Sequence, residues 1–564
     1  MTDPSPSSPA APAESADVDV LILGAGVNGA GLFRDLCEQG VRCLIVDKGD
    51  FCSGTSAAPS RLIHGGIKYL ETGEFRLVAQ STLERNLLLR NAPHLVEPLP
   101  TLIPFFSWTK GVRAALRTLF GSTTAPRSRG AILMKIGLSL YDFYGARARV
   151  MPRHRVLGRA AALRGMPGLT PSIVGAGLYY DARVTAPERL VLELVKDGLA
   201  ANPASSAHNS TRLAGAGDGR IAFERADGTM LTVRPRIVVN AGGPWIDRVN
   251  ALLGETTRLI GGTKGSHILL DHPELIRRLN GRMIYFEADD GRICLVFDYL
   301  GRALVGSTDV KADNPDDIRC EDWETDYFLD SLRGLLPGLS FSREQIVYTY
   351  SGIRPLPASD ASNPGLISRD HSAPVLEPRA GRPFPIISLV GGKWTTFRGF
   401  AEEVADATLE RLGRTRRLST RDLPIGGGRG LPPDETARQR WASAAAARHG
   451  VSAARAQALL ARYGTTAEAI LAHRDPSGGD APLTDAPDYG TAEIDWILRH
   501  EMVVHLADLV LRRTTLAVCG RLTAPMLAHL ADLAAAALGW SPDRRQAELT
   551  ETAAMLVRDH GIRL

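Results

Sequence analysis

Cysteine is scarce in this chain. Six occur in 564 residues (Cys37, Cys43, Cys52, Cys294, Cys320 and Cys519), with no CxxC pair and no spacing suited to a metal. That argues against a zinc site, or any other metal site, and against a disulfide framework, and it fits a reducing compartment. Charge of one sign is also lacking: 66 Lys and Arg against 62 Asp and Glu leave +4, which gives no global attraction for nucleic acid. No run approaches the ~18 apolar residues a spanning helix needs, so membrane contact is expected to be peripheral. The first sixteen residues are rich in Pro, Ala and Ser and have neither a basic start nor an apolar core. They read as a disordered tail, not as an export signal. No repeat of fixed period stands out, which disfavours a solenoid or propeller.

What is present belongs to an ordinary globular chain: 44% hydrophobic and 23% charged residues, over a length that one core rarely supports. Two or three domains are expected. From Asp17 the text DVDVLILGAGVNGAGLFRDLCEQGVRCLIVDKGD is an apolar strand, a glycine turn, a helix and a second apolar strand. A helical stretch follows around Glu74 to Arg90. From about Ile221 to Ser388, runs such as RICLVFDYL and REQIVYTYSGIRPL predict a mainly antiparallel sheet. After Gly426 to Gly430 the chain turns to Ala, Leu and Arg at helical spacing. There Gly464 ends one helix, Thr465 with Glu468 is expected to form a capping box, and Ser541 before Pro542 starts the last helix.

Gly24, Gly26 and Gly29 stand where the first strand ends and the helix begins. The first allows a tight turn, the second lets backbone approach a pyrophosphate, and the third lets the helix pack closely. Asp47 closes the second strand, where a carboxylate would meet the ribose hydroxyls of an adenosine and repel a 2′-phosphate. The fingerprint alone does not separate NAD from FAD. Two later segments favour FAD: VVNAGGPW (238–245) and SLVGGKWTTFRGFAEEVAD (388–406) are further strand-to-glycine turns that an isolated NAD domain would not use. The second runs into a helix whose N–H groups could reach the pyrimidine edge of a flavin.

Taken in order, GAGVNGAG, SRLIHGGIKYLETGEFRLV, YYDARVTAPERLV, VVNAGGPW, TKGSHI, VGSTDV, YTYSGIRPL, ISRD and GGKWTTFR span about residues 18 to 400. This series resembles the FAD-dependent, aerobic, quinone-linked glycerol-3-phosphate dehydrogenases, and AEIDWILRHEMVVHLADLVLRRT (492–514) is similar to that family's helical domain. The resemblance implies noncovalent FAD, oxidation of sn-glycerol 3-phosphate to dihydroxyacetone phosphate, and reoxidation by a quinone. It also implies a cytoplasmic protein held peripherally on the inner face of the cytoplasmic membrane. A homodimer is compatible with the sequence but not required by it.

The implied fold is α/β plus α+β: a Rossmann-like FAD-binding domain, an antiparallel-sheet substrate domain and a helical C-terminal domain. The expected division is a tail (1–16), the FAD-binding domain in three parts (17–110, 151–250 and 351–415), a basic helical insertion (111–150), a substrate domain (251–350), a linker (416–430) and the helical domain (431–564). Expected cofactor contacts are Gly24, Gly26, Val27, Asn28, Gly29, Asp47, Lys48, Thr55, Ser56, Ser60, Leu62, Ile63, His64, Gly65, Gly66, Val184, Ala241, Gly242, Gly352, Arg354, Gly392, Lys393, Trp394 and Thr395.

A secondary alcohol beside a phosphate must be held by cations and relieved of its hydroxyl proton. Arg354, Lys393 and Arg369 are single cations in glycine-rich or apolar text, and the family assigns them to the substrate, with Arg354 offering a two-point fork. Tyr69 resembles a substrate-site tyrosine. His267 is the leading base because imidazole titrates near working pH; a purely structural histidine is the competing reading, and His64 is the rival. The chain departs from the family at Lys68, where an arginine is expected, at Ala57, Ala58 and Pro59, where serines are usual, and at Trp394, bulkier than expected. Lys68 opens a second possibility, another polyol phosphate such as a tetritol phosphate, and an oxidase using oxygen is a third. The stretch SWTKGVRAALRTLF (107–120) patterns as a basic amphipathic helix suited to anionic lipid or to packing on the protein.

Overall fold

The computed structural model of the chain describes residues 14–70, 73–108, 130–146, 150–288, 290–312, 314–358, 370–475 and 478–564. The 107–120 helix and Arg369 lie outside these residues, apart from Ser107 and Trp108, and so does the side chain of Lys68.

The first sheet grows from the strand Glu14–Leu23, whose last residues Val20 to Leu23 are buried on both faces. A strand covered on both sides reads as a continuous apolar run, and parallel pairing suits it. It pairs in parallel with Met230–Asn240 on one side and Cys43–Val46 on the other, and the sheet extends to Ile386–Ser388 and to Ser206–His208. Helix Val27–Glu38 packs between Pro187–Ala201 and Phe397–Arg411. The approach is close enough that a β carbon on Gly31 would lie 2.7 Å from Phe397, and one on Gly198 would lie 2.7 Å from Phe33.

The second sheet has ten strands among the described residues, nearly all antiparallel. Its centre is Ile260–Leu270, paired with Ile346–Pro357 and Arg302–Gly306. One face is covered by helices Pro273–Leu279 and Asp322–Leu335. The other shares a core with the C-terminal helices, where Leu269, Phe297 and Tyr348 join Leu506, Leu509 and Leu516.

The expected division at residue 150 does not follow these sheets. Arg155–Gly158 and Gly175–Val184 belong to the second sheet, where Gly175–Val184 pairs with both Arg155–Gly158 and Val96–Phe105, whereas Pro187–Ala201 covers the first. The sheets are interleaved in sequence because strands 96–105 and 175–184 leave the nucleotide layer and return to it. The helical domain follows the expected start signals in part. Ser541 accepts from the N–H of Arg544 at the start of Pro542–His560, but Thr465 forms no capping box. Its hydroxyl donates to the carbonyls of Gly427 and Arg429, and Glu468 pairs instead with Arg448 and His449.

Buried ion pairs tie this domain to the first sheet. Asp50 lies 2.6 Å from Arg513 Nη1 and 2.6 Å from Arg512 Nε, and Arg189 makes a two-point pair with Glu501. Burial alone would raise the Asp50 carboxyl, but the two guanidiniums hold it well below the usual range. Removing one partner of such a group leaves uncompensated buried charge, at a cost of about 3–5 kcal/mol. Asp50→Ala should therefore lower the thermal midpoint by several degrees and expose the C-terminal helices to limited proteolysis first.

Candidate functional site

One continuous cavity of about 2050 Å³ runs between the two sheets. A small-ligand pocket is typically roughly 300–1,000 Å³, so there is room here for a dinucleotide and a second small molecule. At its base Gly24 has φ +105°, and a β carbon there would come within 2.6 Å of the Ala241 carbonyl oxygen. Gly29 would bring one 2.0 Å from the Gly24 carbonyl, and Gly26 one 3.0 Å from Ser56 Oγ. Only glycine allows this cradle of backbone at the N-terminus of helix Val27–Glu38. The Val27 N–H donates to Ser56 Oγ at 3.0 Å.

Asp47 takes the Ala25 N–H at 2.7 Å and the Gly49 N–H at 3.0 Å, and burial pushes its carboxyl up to about 6. It therefore braces the glycine turn as well as lining the cavity. Lys48 reaches Asp316 at 2.9 Å and lies 4.2 Å over the Trp245 ring. The rest of the cradle comes from far along the chain. Ala241 and Gly242 close the Met230–Asn240 strand, and Gly392, Lys393, Trp394 and Thr395 follow the Ile386–Ser388 strand. Trp394 Nε1 donates to the Ser56 carbonyl at 3.0 Å, Thr395 Oγ1 bonds both the N–H and the carbonyl of His64, and Thr55 Oγ1 donates to the Ile353 carbonyl at 2.6 Å. The buried Asn28 Oδ1 has no hydrogen-bond partner among the described residues. An acceptor left so is costly unless a ligand's donors meet it. The glycine cradle, the helix N-terminus and this acceptor fit a flavin dinucleotide.

The second sheet brings in the candidate substrate residues. His267 and Arg354 sit on the paired strands Ile260–Leu270 and Ile346–Pro357. Arg354 donates to Asp309 Oδ1 at 3.0 Å, and to Ser307 Oγ and the Thr308 carbonyl at 3.1 Å each. Its guanidinium is thus aimed by one short loop. Lys393 is buried, donates to Ser81 Oγ at 3.1 Å and lies 3.7 Å over the Tyr69 ring. His267 is fully buried, 2.9 Å by Nε2 from Ser60 Oγ, and stacked on Tyr350 at 4.8 Å. Its Nδ1 has no partner among the described residues. Burial first, then the positive charges of Arg354 and Arg61, pull its pKa well below 6.5, so the imidazole is neutral.

Four expected cofactor contacts do not line the cavity: Gly29, which packs on the Gly24 carbonyl, and Ile63, Gly65 and Val184. Ile63 and Val184 are buried in the core under the first sheet, and Gly65 turns its N–H to Tyr141 and Asp181. Ile63 and Gly65 neighbour lining residues but are turned away from the cavity, and neither neighbour of Val184 lines it. Leu62, Ser60, His64, Gly66, Tyr69 and Gly352 line the cavity. Sequence reading missed Arg61, a buried arginine with φ +55° that pairs with Glu188 at 3.0 Å and lies over the Tyr299 ring. It sets the backbone beside Ser60. Its partner stands far along the chain, so no local pattern announces it.

An open parallel sheet with a glycine cradle, joined to a second sheet that delivers cations and a neutral histidine, is the architecture of a flavin oxidoreductase. The family described as FAD dependent oxidoreductase matches residues 19–407, and the C-terminal domain of alpha-glycerophosphate oxidase matches residues 418–545. A glycerol-3-phosphate dehydrogenase of Synechocystis is 33% identical over 89% of both chains. One from Pseudomonas tolaasii is 30% identical over 91% of this chain and 94% of its own. Among solved structures, the glycerol-3-phosphate dehydrogenase of Bacillus halodurans complexed with FAD superposes with a TM-score of 0.73 at 23% identity, covering 96% and 95% of the two chains. The chain belongs to the FAD-dependent oxidoreductases, and FAD is its cofactor. Within that class it is a member of the FAD-dependent glycerol-3-phosphate dehydrogenase family.

Gly26→Val would fill the space between helix and pyrophosphate. The variant should purify folded by far-UV circular dichroism but colourless, with FAD affinity lowered by at least about tenfold as measured by fluorescence titration.

Proposed function

We propose that the protein oxidises sn-glycerol 3-phosphate to dihydroxyacetone phosphate and passes the electrons to a membrane quinone. The observation that carries this reading is the convergence of Arg354, Lys393, Tyr69 and a neutral His267 on the cavity that holds the glycine cradle. FAD, when bound, supplies the two-electron acceptor for the carbinol hydrogen. The chain's own groups do the rest. The Arg354 fork suits two phosphate oxygens, Lys393 adds a point charge, and neutral His267 can take the hydroxyl proton on an imidazole nitrogen. Ser60 fixes the ring by its Nε2 contact, and the stack on Tyr350 fixes its plane.

For the acceptor, the support lies on the outer surface. Helix Ala131–Tyr144 turns Met134, Leu138 and Tyr141 inward and leaves Ile132 (47%), Ile136 (55%) and Phe143 (72%) exposed, with Leu140 between them on the same face. Phe106 and Trp108 are exposed beside its first turn, where the Ala131 N–H donates to the Ser107 carbonyl. A contiguous apolar face of this kind is unusual on a freely soluble surface and suits a bilayer at the inner face of the cytoplasmic membrane. No helix among the described residues is long and apolar enough to cross one.

Under nitrogen, glycerol 3-phosphate should bleach the flavin faster than a tetritol phosphate does. Because His267 is held neutral, the reduction rate should stay level as pH falls from 8 to about 6.5, where an exposed histidine would already be half protonated, and decline only below that. Arg354→Ala should lower kcat/KM by about a hundredfold. It should also move the declining limb to higher pH, since a neighbouring positive charge no longer disfavours the imidazolium. An unmoved limb would remove His267 from the role of base. Recovery of the flavin colour should be faster with quinone in anionic vesicles than with oxygen. Ile136→Glu with Phe143→Glu should abolish co-sedimentation with those vesicles and leave anaerobic bleaching intact; retained sedimentation would exclude this face.

A further inference from the structure

Behind the cavity-lining His64–Gly66 turn lies a buried polar cluster to which the proposed reaction assigns no step. Tyr141 Oη donates to Asp181 Oδ1 in a short bond, and Arg85 Nη1 lies 2.7 Å from Tyr141 Oη and 3.0 Å from Asp181 Oδ1. The Gly65 N–H is shared between them, 2.9 Å from the tyrosine oxygen and 3.1 Å from the carboxylate. Tyr141, Arg85 and Asp181 are all at or below 5% exposure. Burial raises the phenol well above 10, and the Asp181 charge adds to this, so Tyr141 keeps its proton. A buried charged pair with a phenol is poor evidence for stability in itself, since an apolar cluster of the same volume would often serve as well. Its value lies in fixing a geometry.

That geometry is the Gly65–Gly66 turn. Its two residues face opposite ways. A β carbon on Gly65 would meet Tyr141 Oη at 2.4 Å, and one on Gly66, at φ +76°, would meet the Tyr69 ring at 2.4 Å and Lys393 Nζ at 2.7 Å. The turn therefore stands between Tyr141 and the substrate cation, with Asp181 reaching the cavity wall beside it. The same helix, Phe75–Asn91, supplies both sides: Ser81 receives Lys393, and Arg85, one turn on, holds Tyr141 and Asp181. We propose that Tyr141, with Arg85 and Asp181, is a positioning residue that sets the Gly65–Gly66 turn, and through it both the flavin-facing backbone and the height of Lys393 over Tyr69. This rests on the proposed oxidation of glycerol 3-phosphate only for its kinetic arm.

The test uses the FAD-loaded full chain and Tyr141→Phe, which removes one oxygen and leaves the ring. The variant should retain FAD at wild-type stoichiometry, shift the visible flavin absorption and circular dichroism bands, and slow anaerobic reduction by glycerol 3-phosphate about tenfold, since small misplacements at a reacting centre are costly. KM should rise with it, as Lys393 is displaced. Tyr489→Phe, a buried phenol among the C-terminal helices that bonds Thr515, should leave the flavin bands where they are. If Tyr141→Phe loses FAD, Asp181→Asn, which keeps the shape, is read in the same way. Unchanged flavin bands together with an unchanged KM would overturn the proposal. A wild type not reduced by glycerol 3-phosphate would refute the proposed function, while the spectral arm would still decide the role of Tyr141.

Discussion

Two backbones approach each other at the base of the cavity more closely than any side chain permits, and the remainder of the site is arranged around that approach. The parallel register of Glu14–Leu23 with Met230–Asn240 sets Leu23 opposite Asn240, so Gly24 meets Ala241 where both strands end. The first helix then starts directly over the junction, with Gly26, Val27 and Asn28 at the cavity and the Val27 N–H donating to Ser56 Oγ. A β carbon at Gly24 or Gly29 would force strand and helix apart. The cofactor cradle is thus a consequence of strand register, and the turns after Asn240 and Ser388 serve it because their strands lie next in the same sheet.

Around this base the protein handles buried charge by pairing it across distant segments. Asp50 is matched by Arg512 and Arg513, Arg61 by Glu188, Arg85 by Asp181, and Arg398 by Glu84. Each group joins elements from different parts of the chain. Against that background Arg354 and Lys393 differ. Arg354 is partly exposed to the cavity beside Asp309, and Lys393 lies against the Ser81 hydroxyl and the Tyr69 ring. Cations that line a cavity attract an anion to it. The same field, acting on a desolvated ring, keeps His267 neutral.

Local chemistry made part of this legible from the sequence. The glycine turn, the apolar strands and the helix starts at Val27 and Pro542 depend on residues within a few positions of each other, and they stand where expected. Arg354, Lys393 and His267 could be proposed because a polar residue in apolar or glycine-rich text needs a reason to be there, and all three do line the cavity. What was not legible depends on tertiary pairing. Nothing near Gly65 indicates that it faces Tyr141, nothing near Arg61 indicates Glu188, and the departure of strands 96–105 and 175–184 into the second sheet has no local marker. Thr465 shows the same limit. Its sequence suits a cap, but the linker carbonyls of Gly427 and Arg429 compete for its hydroxyl and win.

The helical C-terminal domain belongs to the site more closely than its sequence suggested. Its last helix ends in His560, which stacks on Tyr348 at 4.6 Å and bonds the Thr349 carbonyl at 2.9 Å. The next residue of that strand, Tyr350, stacks on His267, and Gly352 and Arg354 follow at alternate positions. The strand that aims the substrate groups is therefore clamped from behind by the end of the chain. Leu511, Arg512 and Met555 reach the cavity wall itself. With Asp50 binding Arg512 and Arg513 on the nucleotide side, the domain holds the two sheets at a fixed separation. That separation determines whether a flavin on one sheet and an alcohol on the other can meet.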